Sequence, residues 1–288
     1  MEKRISNRAI ADRTIADTRL KLPPVRIILS LLFLLIIVLW MAFPSLFAPD
    51  ALSLDIQNVK LPAGSAGHPL GTDALGRDVW KLLIAGTDSA MIGPLCIAAG
   101  SLIIGLVLGS TAGWFGGFWD KIVSAYADLT LSMPSMLLAI VAAAIIGGGY
   151  WVSVLVMIIL YSPSDIRLVR SAVIQQKSKP YIEAAKMLKL GSFNILAKHI
   201  FPNIAMVVLV NFFLNIAYGL MSMSSLSFLG LGVGPKEADW GRQLSDGREL
   251  LSQNPAMALS AGIIIILTAV SINLIGSYLL ERSGFDDL

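Results

Sequence analysis

The residues able to do chemistry are few and widely spaced. Asp88, Asp128 and Asp165 lie in or at the edges of long apolar runs. A carboxylate inside a bilayer is costly and by default marks function. Asp88 sits near one end of its run, and Asp128 and Asp165 near the opposite ends of theirs. Such interface positions relieve much of the cost and point to capping or to pairing with Arg167 or Arg170. A proton- or sodium-coupled carrier, which would place such acids at mid-membrane, is the alternative. Cys96 is the lone cysteine, inside an apolar run, and reads as a small buried hydrophobe. His68 and His199 are too far apart for metal-ligand spacing, so no metal site is expected. ATP hydrolysis would need G-x-x-x-x-G-K-[ST], and no Gly-Lys pair occurs in the chain. Neither G-x-S-x-G nor H-E-x-x-H is present. Gly147-Gly148-Gly149 reads as a tight turn, since no helix with a basic residue follows it. No catalytic residue and no cofactor is expected in this chain.

The elements that carry these residues are mostly apolar. Hydrophobic residues make up 56% of the 288 and charged residues 14%, against about 25% charged in soluble domains. Mean hydropathy is +0.75. Six stretches are long enough to span a bilayer: Ile27–Phe47, Ile84–Trp114, Ile122–Ile146, Trp151–Val169, Ile204–Leu231 and Ala256–Leu280. The first is full bilayer length, longer than the roughly 7–15 residues of a signal-peptide core, and reads as an uncleaved span. Pro94, Pro134 and Pro163 inside these stretches should kink or end their helices. The expected fold is an all-α integral membrane protein with six transmembrane helices.

Lysine and arginine set the orientation. With residues 1–26 as a cytoplasmic arm, 16 of the 22 basic residues fall inside, in the arm, the 170–203 loop and its flanks, Lys121 and Arg282. This predicts both termini inside. The remaining segments are an extracytoplasmic stretch 48–83, a five-helix core 84–280 with an outer loop 232–255, and a cytoplasmic tail 281–288. The sequence pI near 9.0 comes from loop charges rather than one basic patch, which excludes nucleic acid as the expected partner.

The cytoplasmic loop reads EAAKMLKLGSFNILAKHIFPN from Glu183 to Asn203. Tyr181, Ile182, Ala185, Leu188 and Lys189 fall at helical spacings. Gly191 is placed to end that helix in a left-handed conformation. Ser192 is placed to cap a second helix, Phe193–Ile200, and Pro202 either stops it or opens the next span. A compact element on short tethers can transmit a push. A solvated loop whose lysines only set topology is the plainer reading.

Glu183-Ala184-Ala185, then Gly191, then Ile200-Phe201-Pro202 resembles the EAA loop of ABC-importer permeases, with Phe201 for the usual leucine. His68-Pro69-Leu70-Gly71-Thr72-Asp73-Ala74-Leu75-Gly76-Arg77-Asp78 resembles the H-x-LGTD-x-LGRD signature of the dipeptide/oligopeptide/nickel permease family. Gly113-Trp114-Phe115-Gly116-Gly117 with Asp120 is similar to its inter-helix turn. Leu226-Ser227-Phe228-Leu229-Gly230-Leu231-Gly232 and Asp239-Trp240-Gly241 resemble its LSFLGLG…EWG stretch. The resemblance runs from about Pro69 to Gly276, and the tail GSYLLERSGFDDL departs from the family ending.

That resemblance implies a type I importer permease fold in a bacterial or archaeal inner membrane. It also implies three kinds of partner besides the lipid bilayer: a second permease, two ATPase subunits carrying ATP and magnesium, and an extracytoplasmic binding protein. Glu183, Ala184, Ala185, Lys186, Gly191 and Pro202 would then form the ATPase-coupling contact, with Lys189 beside them. Gly71, Thr72, Asp73, Gly76, Arg77 and Asp78 carry the outer family motif. Peptides are the expected solutes, with nickel or a metal chelate as the alternative. An ion-gradient carrier and a non-transporting scaffold are remoter readings. Met221, Ser222, Ser224 and Ser225 are polar enough to line a pathway at mid-span, although serines in membrane helices also bond back to their own helix.

Overall fold

The computed structural model describes residues 24–282, so the N-terminal arm up to residue 23 and the tail beyond Arg282 lie outside the described residues. The described chain is helical, without strands among the described residues. We name α1 Val25–Ala42, α2 Val79–Phe115, α3 Gly117–Leu131, α4 Ser135–Ile146, α5 Tyr150–Lys177, α6 Pro180–Met187, α7 Ser192–Phe228, α8 Trp240–Glu249 and α9 Pro255–Arg282. Five of these (α1, α2, α5, α7 and α9) are long and apolar enough to cross a membrane, and the pair α3 and α4 makes up to six.

Several boundaries differ from the sequence expectation, mostly at prolines. The first span ends at Ala42 rather than Phe47. Phe43, with φ −133°, is forced out of helical geometry by Pro44, and a separate turn Pro44–Phe47 follows. The expected single span Ile122–Ile146 is broken at Ser132–Pro134, and α3 and α4 meet at 88°. Pro134 starts α4 from extended backbone and cannot donate into the preceding turn. By contrast, α2 and α5 run through Pro94 and Pro163. The fourth span extends to Lys177 instead of ending near Val169. The fifth begins at Ser192, not Ile204, because the expected helix Phe193–Ile200 is continuous with it. A π turn, Leu196–Ile200, joins the two, with the Phe201 N–H donating to the Leu196 carbonyl. The wider turn lies immediately before Pro202, which has no N–H to donate back into it.

Helices α2 and α7 are each 37 residues, about 55 Å at 1.5 Å per residue. They exceed the roughly 30 Å hydrocarbon core and carry the membrane bundle into the loops at one end or the other. Helix α7 is central and packs on α2, α5 and α9, while α1 lies at the edge against α9. Gly105, Gly109 and Gly113, at spacing four, let α2 approach α5 closely. A Cβ at these positions would stand 2.4 Å from Asp165 Cβ, 2.7 Å from the Ile166 carbonyl oxygen and 2.9 Å from the Arg170 carbonyl oxygen.

Candidate functional site

Between α5 and α7, in the loop expected in the cytoplasm, α6 begins with Pro180 at its first turn, where a missing N–H costs nothing. Its inward face is Ile182 and Ala185, packed with Trp114, Val169, Val173 and Ile195. Trp114, from the inter-helix turn motif, is the bed of this element. The Lys186 and Lys177 ammonium groups stand 5.3 and 5.7 Å from its ring centroid, and Lys177 Nζ donates to its carbonyl at 2.6 Å. Each such cation–ring contact contributes about 0.5–1 kcal/mol. Glu183 and Ala184 face outward, as do Met187, Leu188 and Phe193, which are 83%, 75% and 80% exposed. Among the described residues no partner meets the Glu183 carboxylate. Three large apolar side chains exposed beside an acid form a surface suited to contact rather than to water.

The turn after α6 corrects the sequence expectation. Lys189, with φ 54°, is the left-handed residue, while Gly191 is extended (φ −63°, ψ 147°). The Leu190 N–H donates to the Ala185 carbonyl and the Lys189 N–H to the Lys186 carbonyl, the Schellman pattern that ends a helix. Ser192 does not cap α7. It is the first helical residue, after a Gly191 N-cap with no side-chain bond. A Cβ on Gly191 would meet nothing within 4 Å. Nothing inside the described chain requires glycine there. Pro202 is exposed in the first turn after the π turn, and α7 runs through it, so it neither stops that helix nor opens a separate span.

The outer motif is built differently. Thr72, Asp73, Arg77 and Asp78 are all buried. The Leu61 N–H donates to Thr72 Oγ1, which donates to the Asn58 carbonyl (2.8 and 2.6 Å). Asp73 Oδ1 accepts from the Leu75 and Arg77 N–H groups, both at 2.8 Å. Its Oδ2 accepts from Arg77 Nε at 2.6 Å. Asp78 caps the start of α2 by accepting from the Lys81 N–H at 2.9 Å, and its other oxygen lies 2.7 Å from His68 Nδ1. Gly71 and Gly76 have φ of 75° and 79°, and a Cβ there would stand 2.2 Å from the Leu61 and 1.8 Å from the Asp55 carbonyl oxygen. This turn is locked to α8 and the loop before α9. Trp240 Nε1 donates to the Leu83 carbonyl at 2.8 Å, and Asn254 Nδ2 to the Leu70 carbonyl at 2.9 Å. Burial holds the Asp246 and Asp239 carboxyls above the usual carboxylate range. Asp55, by contrast, is held below it by the Asn58 side chain.

The intramembrane acids divide. Asp128 pairs with Arg167 at 2.5 Å on an exposed surface, and Asp120 binds Arg170 through both oxygens at 2.5 and 2.7 Å. These pairs fasten α3 to α5. Asp88 lies within α2, two residues after Gly86, and is half-buried. Asp165 is deeper than expected. It is fully buried near the middle of α5, bonded to the amides of Asn211 and Asn215 on α7 rather than to an arginine. The pathway serines also separate. Met221, Ser224 and Ser225 line a depression of about 460 Å³ with Gly262, Ile265 and Ile266 of α9. Ser222 points elsewhere, 2.8 Å from the Tyr161 hydroxyl, and Ser225 Oγ donates back to the Met221 carbonyl.

A bundle of apolar helices with a closed outer cap and a short helix lodged beneath it has the architecture of an importer permease. The chain belongs to the family of binding-protein-dependent transport system inner membrane components, whose pattern matches residues 105–283. It is therefore a multi-pass inner-membrane permease subunit of an ABC importer. It is 34% identical over 212 residues to the glutathione transport system permease protein GsiD of Pectobacterium atrosepticum, covering 74% of this chain and 70% of that one. It is 34% identical over 217 residues to the dipeptide transport system permease protein DppC of Alkalihalophilus pseudofirmus, covering 75% and 71%. To the di/tripeptide permease DppC of Pseudomonas aeruginosa it is 31% identical, covering 86% and 84%. An inward-facing structure of the MetNI methionine ABC transporter matches with a TM-score of 0.57 at 17% identity, covering 70% of this chain and 95% of that one, which shows the shared type I fold.

Proposed function

We propose that this chain forms half of a pathway for di- or oligopeptides and receives its drive from separate ATPase subunits through α6 and the start of α7. Support for the coupling role is the outward face of α6 and its turn, where Glu183, Ala184, Met187, Leu188, Gly191 and Phe193 lie exposed on a rigid bed. In this reading two ATPases hold the ATP and magnesium, a second permease completes the pathway, and an extracytoplasmic binding protein delivers solute to the outer cap. The distribution of lysine and arginine supports both termini in the cytoplasm, if α3 and α4 count as one broken crossing. The peptide assignment rests on relatives named for dipeptide, di/tripeptide and glutathione transport. Among the described residues no three His, Cys, Asp or Glu side chains group to hold a metal ion, which mildly favours peptides over a bare metal ion, and a nickel chelate would need no such ligands. Reconstitution with the genomic neighbours tests both parts. ATP-dependent uptake of a labelled dipeptide is expected, and uptake of a nickel chelate with no dipeptide uptake would overturn the solute assignment.

A further inference from the structure

Helix α2 has a weak point at Gly93–Pro94, and another helix closes it. Pro94 has no N–H, so the Ala90 carbonyl loses its helical donor. In an uninterrupted α-helix the Gly93 N–H would donate to the Ser89 carbonyl, four residues back. The Tyr150 hydroxyl reaches the same two groups. It accepts from the Gly93 N–H at 2.6 Å and donates to the Ser89 carbonyl at 2.6 Å. A side chain set into the backbone ladder in this way is an established origin of helix bending.

Three other segments meet at this joint. Tyr150 is the first residue of α5, and Gly149 just before it donates its N–H to the Leu231 carbonyl at 3.0 Å, beyond the end of α7. The Ser89 hydroxyl is shared between the Ala238 carbonyl at 2.8 Å and Asp239 Oδ2 at 3.2 Å, in the segment that leads into α8. On the other wall Gly219 of α7 bears on the proline, since a Cβ there would stand 3.2 Å from Pro94 Cα. Helix α7 runs from the α6 turn, through the π turn at Leu196–Ile200, to Gly219 as one span, so displacement at its cytoplasmic end has a continuous path to the joint.

We propose that Tyr150 is a positioning residue for transport, whose hydroxyl sets the geometry of α2 at Gly93–Pro94 and thereby passes the movement of α7 to the outer half of α2. The joint has discrete states for a physical reason. In apolar surroundings neither the Gly93 N–H nor the Ser89 carbonyl is stable without a partner. The groups are joined either through the phenol or directly, and the two arrangements differ in the length of the turn. This inference takes the source of the movement from the coupling role proposed above.

The test uses the full assembly of this chain with its second permease and ATPases in lipid nanodiscs, with Cys96 replaced by alanine. Spin labels replace the exposed Leu75 and Leu229, at the outer ends of α2 and α7. Distances are measured without nucleotide and with ATP–vanadate. The parent assembly is expected to show a nucleotide-dependent change in distance. Tyr150→Phe keeps the ring and removes the bridge. It should cut that change to about half or less while assembly yield and ATP hydrolysis persist. Gly219→Ala, with Tyr150 intact, should shift the resting distance through the opposite wall. A full-sized change in Tyr150→Phe overturns the proposal, and so does a joint loss of yield, hydrolysis and distance change, which marks a structural role only. Glu183→Lys in the same background separates the two ideas. If it leaves the parent response intact, the coupling reading fails while the Tyr150 result stands on its own.

Discussion

At the outer end of the molecule Thr72, Asp73, Arg77 and Asp78 direct their polar atoms inward, to one another and to neighbouring backbone. At the cytoplasmic end Glu183, Ala184 and Gly191 face away from the chain, while Ala185 is buried against Trp114 and Lys186 turns back toward the same ring. Both segments resemble family motifs, yet the physical demands behind them are opposite. The outer motif is a closed turn in which left-handed glycines, a buried ion pair and a helix cap leave little for a partner to use. The cytoplasmic motif keeps its inward face apolar and leaves its outward face unbonded among the described residues. A motif residue satisfied within its own chain is explained by folding, and one that is not is explained by what it meets.

Substitutions can break this contrast. The largest effect is expected from Asp73→Ala, which strands the buried Arg77 guanidinium. Removing one partner of a buried pair costs about 3–5 kcal/mol, and the variant should lose yield and thermal stability in detergent. Glu183→Lys comes next and acts in the opposite way. Thermal stability should stay at the parent value, while ATP-driven uptake falls about tenfold or more, the change produced by losing 1.4 kcal/mol of a docking contact. Equal stability losses in both variants would erase the distinction.

A matched glycine pair sharpens the comparison. Gly71→Ala forces a Cβ to within 2.2 Å of the Leu61 carbonyl oxygen at positive φ, and should destabilise the outer cap by about 1–3 kcal/mol or more. Gly191→Ala meets nothing and keeps an ordinary φ, so its stability should change by no more than about 0.5 kcal/mol. Any uptake defect it shows then belongs to the partner interface. Thermal melts alongside uptake assays separate the two outcomes.

The smallest expected effect is a pH dependence confined to the outer side. Asp239 and Asp246 are held above the usual carboxylate range by burial, so the folded cap binds their protons at a higher pH than the unfolded chain does. Mild acidification from neutral toward that range should therefore stabilise the cap. Asp55, held low, opposes this only as pH falls through its folded value, well below that window. Melting curves at stepwise lower pH should rise, and Asp246→Asn should flatten the rise.

Much of this arrangement was legible in the sequence, and the misreadings have specific causes. Apolar run length found the spans, because burying the backbone in lipid requires about 20 apolar residues. Proline position alone did not reveal its effect. Pro134 breaks a span, whereas Pro94 sits where Tyr150, 56 positions later in the chain, bridges the ladder at the residue before it. The helix end after α6 was assigned to Gly191 because glycine favours left-handed backbone, but the Schellman bonds put Lys189 there instead. Asp165 could be recognised as an intramembrane acid. Its partners Asn211 and Asn215 lie 46 and 50 residues away, and only packing of α5 on α7 brings them together. The outer motif was legible as a signature but not as a fold, since Asn254 and Trp240 lock it from the far end of the chain.

Cysteine accessibility tests the central contrast most directly. With Cys96 replaced by alanine, Ala184→Cys and Leu75→Cys place one thiol on each exposed face, and labelling rates are compared for the chain alone and for the chain assembled with its ATPases. Ala184→Cys should be strongly protected by assembly, while Leu75→Cys should label at the same rate in both. Undiminished labelling of Ala184→Cys in an assembled, ATP-hydrolysing complex would contradict that contrast.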